Sequence, residues 1–254
     1  MLQNRQIVIG DVHGHYDGLM QLLEAIAPGE KDEVYFLGDL IDRGPKSSQV
    51  LQFVRQSGYV SLLGNHEQML LEAFPDGKVS MPSLQAWLYS GGQATVASYE
   101  SAEKLLEELD WIRTFPTHKD LGKFWLVHAG VHPGLPMNEQ TLHEFCWIRD
   151  PFHSSTQPYF SDKVIVTGHT ITFTLPQVTP GQIAKGRGWL GIDTGVYHPK
   201  SGWLTAIDLT HQQVYQVNVF QGTQRTRSIT EAAVEIDPDR VRSRRQMMNL
   251  PIIS

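Results

Sequence analysis

Three short motifs near the start of the chain combine side chains that bind cations and phosphate. They are Gly10-Asp11-Val12-His13-Gly14, Gly38-Asp39-Leu40-Ile41-Asp42-Arg43-Gly44 and Gly64-Asn65-His66-Glu67. Carboxylate, imidazole and carboxamide form a hard-to-borderline ligand set, which suits Mn²⁺, Fe or Zn²⁺ better than a soft copper site. Asp11 and His13 stand two apart, so in extended backbone both project to one side. Later in the chain, His128 in Leu-Val-His-Ala-Gly and His169 in Val-Thr-Gly-His-Thr each follow an apolar run and touch glycine. One Gly-Asp is usually a turn, and one histidine is usually a core or surface residue. Five strand-terminal motifs in one chain, each with a possible ligand, are not accounted for in that way.

The motifs need elements to bring them together. Residues 5–10, 33–38 and 59–63 read as short strands, with helices over 15–27, about 47–56 and from near His66. Asp11 to Asp39 is 28 residues and Asp39 to Asn65 is 26, room for one strand, one helix and one loop. Successive parallel strands would therefore place the motifs side by side at their C-terminal rim, where open α/β sheets bind ligands. Residues 82–115 are helical in tone, broken at Gly91-Gly92. Beyond them, strand patterns at 123–128, 163–168, 189–193, 203–208 and 213–219 suggest a second, mixed or antiparallel sheet. The expected fold is α/β, with two sheets face to face and helices outside. Residues 1–220 read as one catalytic domain. Residues 221–254 read as a basic extension, partly helical or flexible, with six arginines against four acids.

With 254 residues, 41% hydrophobic and 19% charged, the chain can bury a core without disulfides, which excludes a mainly disordered or collagen-like protein. No run approaches the roughly 18 apolar residues of a spanning helix, so no membrane partner is expected. No leader pattern precedes the first strand, and a cytoplasmic location is expected. The net charge of −6 argues against nucleic acid as partner. The single cysteine, Cys146, forms no internal disulfide and lacks the Cys-x₅-Arg cradle of a thiol phosphatase.

The five motifs in this order resemble the metal-dependent phosphoprotein phosphatases of the calcineurin-like metallophosphoesterase superfamily. The resemblance covers about residues 5–210 and is nearest to the small bacterial and phage lambda-type serine/threonine phosphatases. It implies a four-layer α/β/β/α sandwich with two mixed sheets and a site for two divalent ions, Mn²⁺ foremost. By motif, Asp11, His13 and Asp39 resemble ligands of the first metal. Asp39 would bridge to a second, held also by Asn65, His128 and His169. His66 resembles the general acid with Asp42 as its carboxylate partner, and Arg43 and Arg149 resemble phosphate clamps. Two divalent ions less two aspartates leave about +2 locally, so an acidic protein can still take an anionic substrate. A metal-bridging hydroxide would attack phosphorus in line.

The reading that follows is a phosphomonoesterase acting on phosphoserine and phosphothreonine in proteins. Its rival is a symmetrical bis(5′-nucleosyl)-tetraphosphate hydrolase, whose members resemble Gly-Asp-Leu-Val-Ala-Arg-Gly, without the acid of position 42. A catalytically dead scaffold would usually lack a ligand or the acid, and neither is missing. His15 reads as a helix-start residue, Asp193 as a possible support of the site, and Trp87, Trp111, Trp125 and Trp203 as packing. The Ser-Ala-Pro-Asn-Tyr segment of eukaryotic relatives is replaced by Ile192-Asp193-Thr194-Gly195-Val196-Tyr197, so regulatory-subunit docking is not expected.

Overall fold

The computed structural model describes residues 4–241. Twelve strands form two six-stranded sheets. The first sheet contains β1 (Gln6–Ile9), β2 (Glu33–Phe36), β3 (Val60–Ser61), β9 (Trp203–Asp208), β10 (Gln213–Asn218) and β11 (Gln224–Ser228). The second contains β4 (His118–Asp120), β5 (Phe124–Val127), β6 (Val164–Thr167), β7 (Ile183–Gly186), β8 (Trp189–Gly191) and β12 (Ala233–Glu235). Their spatial orders are β11-β10-β9-β1-β2-β3 and β12-β7-β8-β6-β5-β4. In the first sheet β1, β2 and β3 run parallel, while β9 joins β1 antiparallel with Val8 opposite Ile207. In the second, β5, β6 and β8 are parallel, β4 is antiparallel to β5, and β7 is antiparallel to β8 and parallel to β12. Both sheets are therefore mixed, as expected.

The layering follows from side-chain alternation along buried strands. Val8, Tyr35, Leu37, Leu126, Val166 and Ile207 pack together between the sheets. Their neighbours Ile7, Ile9, Phe36, Trp125, Ile165 and Ala206 point the other way, into the larger core shared with the helices. Helix α1 (Tyr16–Ile26) covers that outer face with Leu19, Leu22, Leu23 and Ile26, and α2 (Ser47–Ser57) does so with Val50, Leu51 and Val54. Apolar residues at those spacings give each helix one buried stripe. Helix α3 (Asn65–Ala73) starts directly after β3. The helical middle is α4 (Met81–Trp87), a π turn over Leu88–Gly92 that holds the expected glycine break, and α5 (Gln93–Ala97).

The stretch set apart as an extension divides. Through Glu235 it supplies an edge strand to each sheet, β11 beside β10 and β12 beside β7. It reads weakly in sequence because edge strands have one polar face and little burial. The basic run 242–245 lies outside the described residues. Among those described, no helix is long and apolar enough to cross a membrane.

Candidate metal centre and phosphate cleft

The ends of five strands converge. Asp11 and His13 follow β1, Asp39, Asp42 and Arg43 follow β2, Asn65 and His66 open α3 after β3, and His128 and His169 follow β5 and β6. All of these except Arg43 are buried. His13, Asp39, Asp42, Arg43 and His169 have positive φ, between 45° and 73°. Such conformations cost of order 1–3 kcal/mol each for residues other than glycine and concentrate where geometry serves a site. Two glycines permit the close approach. A Cβ on Gly64 would collide with the Asp39 carboxylate, and one on Gly168 with that of Asp11.

The imidazoles are aimed by their outer nitrogens. Nδ1 of His13 lies 2.9 Å from Ile41 O, and Nδ1 of His128 2.8 Å from Leu37 O. Nε2 of His169 lies 3.2 Å from Trp147 O. A carbonyl only accepts, so the facing nitrogen carries the proton and the other nitrogen turns a lone pair inward. Burial pushes the pKa of all three rings down, which keeps them in the neutral, ligand-competent form. Consequently Nε2 of His128, 3.0 Å from Asn65 Oδ1, and Nδ1 of His169, 2.8 Å from the same oxygen, meet it lone pair to lone pair. Asp39 Oδ1 stands 3.4 Å from His128 Nε2. Four acceptors facing one another with no hydrogen between them fit a cation.

Asp39, His128 and His169 make one such group, and His13, Asp39 and His66 a second, with Asp39 shared. Asp11 stands slightly apart. Its Oδ2 accepts the His169 N–H at 3.0 Å, and burial, Asp193 and Asp39 hold its pKa well above the ordinary carboxylate value. Asp193, buried beside it, is pushed up to about 6 by burial, with the charge of Asp39 adding. Buried carboxylates so crowded again fit cations. Every proposed ligand of the sequence reading thus lies in this cluster, and both arginines border it. Arg43 stacks on the Tyr197 ring at 4.0 Å and donates from Nη1 to His13 Nε2 at 3.1 Å. Arg149 donates to Thr170 Oγ1 at 3.0 Å. Both face a cleft of about 160 Å³, together with Asp39, Asn65, His66 and His169.

His66 Nδ1 lies 2.6 Å from Asp42 Oδ2, leaving Nε2 toward the cleft. Burial works to discharge this ring, but the Asp39 charge and the Asp42 hydrogen bond outweigh it and raise the pKa. Glu67, the last residue of the third motif, has a role that the motif itself does not reveal. Its buried carboxylate accepts the backbone N–H groups of Asp39, Leu40 and Gly64 at 2.8, 2.8 and 3.1 Å, tying β2's loop to the start of α3. An acid three residues after a helix N-cap was the available signal. Cys146, pushed up to about 12 by burial, is no nucleophile. His15 sits at the N-cap of α1, as expected for a helix-start residue.

Two mixed sheets with a polyanionic, imidazole-lined cluster at their strand ends define a metallophosphoesterase fold. The family model for calcineurin-like phosphoesterases matches residues 5–200, and the chain belongs to that family. It is 36% identical over 128 residues to the symmetrical bis(5′-nucleosyl)-tetraphosphatase of Dechloromonas aromatica, a match covering 49% of this chain and 43% of that protein. The chain thus matches less than half the length of that relative. A solved chain, itself only proposed to be a diadenosine tetraphosphatase, superposes with a TM-score of 0.60 at 20% identity, over 89% of this chain and 94% of that one. The cold-active protein-tyrosine phosphatase of a Shewanella species superposes at 0.56 and 20%, over 88% and 80%. At such identities the superpositions show the fold alone.

Proposed function

We propose that the protein is a metal-dependent phosphoesterase that hydrolyses symmetrical dinucleoside tetraphosphates. The observation that carries the choice of substrate is its identity with symmetrical tetraphosphatases. This ranks the tetraphosphate, the rival reading of the sequence motifs, above the protein-phosphatase activity they favour. Asp11, His13 and Asp39 would hold one divalent ion, and Asp39, Asn65, His128 and His169 the other. When bound, such ions draw charge from phosphate oxygens and acidify water. Arg43 and Arg149 grip the non-bridging oxygens of the phosphoryl group, where charge accumulates. His66 hands a proton from Nε2 to the leaving oxygen, while Asp42 keeps the ring oriented and charged.

The Asp42–His66 pair favours a second reading, phosphomonoesters of serine and threonine. An alkoxide is strongly basic and leaves only with a proton, whereas a diphosphate leaves readily without one. Diadenosine tetraphosphate and a phosphoserine peptide, assayed side by side with added Mn²⁺, separate the two. Release of two nucleoside diphosphates at a kcat/KM well above that for the peptide supports the tetraphosphate. The reverse order establishes the monoester.

A further inference from the structure

We propose that Trp87 and Thr95 are positioning residues for His66, acting through Asp42. The inference rests on the donor role of His66 given above, which a leaving alkoxide requires and a leaving diphosphate does not. Asp42 is fully buried and lies far in sequence from the residues that fix it. Trp87 Nε1 donates to its Oδ2 at 2.9 Å, beside the His66 Nδ1 bond to the same oxygen. Thr95 Oγ1 donates to Oδ1 at 2.6 Å and accepts the Asp42 N–H at 2.9 Å. Three donors from three elements therefore leave the carboxylate no rotation, and the imidazole it holds inherits that fixity. Trp87 and Thr95 are themselves wholly buried, so neither donor competes with water.

The route of the chain supports the same role. Trp87 ends α4 and Thr95 lies in α5, and the π turn between them folds both onto Asp42. Within that turn Gly91, at φ 120°, offers its carbonyl to the Arg43 N–H at 3.2 Å, and Gly92 lets the Trp87 ring lie against the backbone. One helical insertion thereby grips Asp42 and Arg43 together. Bulges of this kind are frequent at functional sites.

Thr95→Val keeps the shape and removes both hydroxyl bonds to Asp42, with the one to Ser47 Oγ; Trp87→Phe removes the N–H; Thr95→Ser restores the hydroxyl. Each is assayed on an alkyl phosphate, which needs the proton, and on a 4-nitrophenyl ester, which does not. The expected result is a loss in kcat about tenfold larger on the alkyl ester for Thr95→Val and Trp87→Phe, with Thr95→Ser near wild type. In the metal-free protein, the far-downfield proton of His66 Nδ1–H, identified by its absence in His66→Asn, should shift or broaden in the same two variants. Equal losses on both esters, no loss, or an unmoved proton overturns the positioning role. His66→Asn separates the layers. A selective alkyl-ester loss there without one in the other variants removes the positioning role alone, and an equal loss on both esters removes the donor role beneath it.

Discussion

His66 and His128 sit in one cluster and differ in what holds their outer nitrogen. Against a carboxylate, His66 is drawn toward the charged, proton-donating form; against a backbone carbonyl, His128 stays neutral and offers a lone pair. His66→Asn should therefore lower kcat on an alkyl phosphate by around 10²–10³ with metal content unchanged, measured by elemental analysis beside turnover. His128→Ala should do the opposite, losing metal first, and an unaltered metal content there would move His128 out of the ligand set. A third histidine, outside the ligand set, supplies a pH test. His153 is buried against Trp189 and Phe152, and burial pushes its pKa down to about 3, with the charge of Arg149 adding. From the ordinary value near 6.5 down to 3 the unfolded chain takes up a proton that the folded one refuses, so stability falls as pH falls through that window. His153→Phe removes that slope. Urea unfolding at pH 7.5 and 5 should show the variant gaining on wild type with acidity, and parallel curves would refute the assignment.

Among the elements, legibility followed burial. The strands of the sheet centres announce themselves as apolar runs because both faces are covered, and β1, β2, β5, β6 and β9 begin or end within two residues of the sequence reading. Edge strands β4, β11 and β12 and the short interior β7 did not, since His118, Lys119 and Asp120 are all exposed, Gln224–Ser228 is polar throughout and β7 ends on Lys185-Gly186. The cluster was legible for a different reason. Its ligands lie at strand ends beside glycine, where spacing alone implies convergence. The support given by Glu67, Trp87 and Thr95 was hidden, because a hydrogen bond between residues 42 and 95 leaves no periodic trace. The glycines at the crossings carry the element-scale prediction. Gly64→Ala places a methyl group against both the Asp39 carboxylate and its backbone nitrogen, so α3 must move away from the β2 loop. The variant should lose at least tenfold in metal affinity, by titration of the metal-free protein, while retaining its far-ultraviolet dichroism. Unchanged affinity would show the loop to be more yielding than its packing implies.

For the molecule as a whole, the decisive balance is electrostatic and internal. Asp11, Asp39, Asp42, Glu67 and Asp193 are all at most 3% exposed and lie within one cluster. Arg43, Arg149 and the charged His66 are too few to neutralise all five, and the crowding and burial answer by raising the pKa of Asp11, Glu67 and Asp193. The net charge of −6 includes these five carboxylates, and salt screens buried charges far less than those on the surface. Without ions the cleft would repel a phosphate and weaken the fold that encloses it; with two divalent ions both signs reverse. Stability and substrate binding are thus linked to the same cations, and the linkage has a predictable size. A ligand at 100 times its Kd adds about 2.7 kcal/mol to the folded state, and in a domain of this length each kcal/mol moves Tm by about 2–4 °C. Saturating Mn²⁺ should therefore raise Tm by about 5–11 °C for each ion bound, over the chelator-treated protein, seen by calorimetry without any substrate. Asp39→Asn, which removes the carboxylate shared by both ligand groups, should abolish most of that rise. A Tm indifferent to Mn²⁺ in the unaltered protein would mean that the buried acids are balanced by some other means, and that this cluster is not where the cations bind.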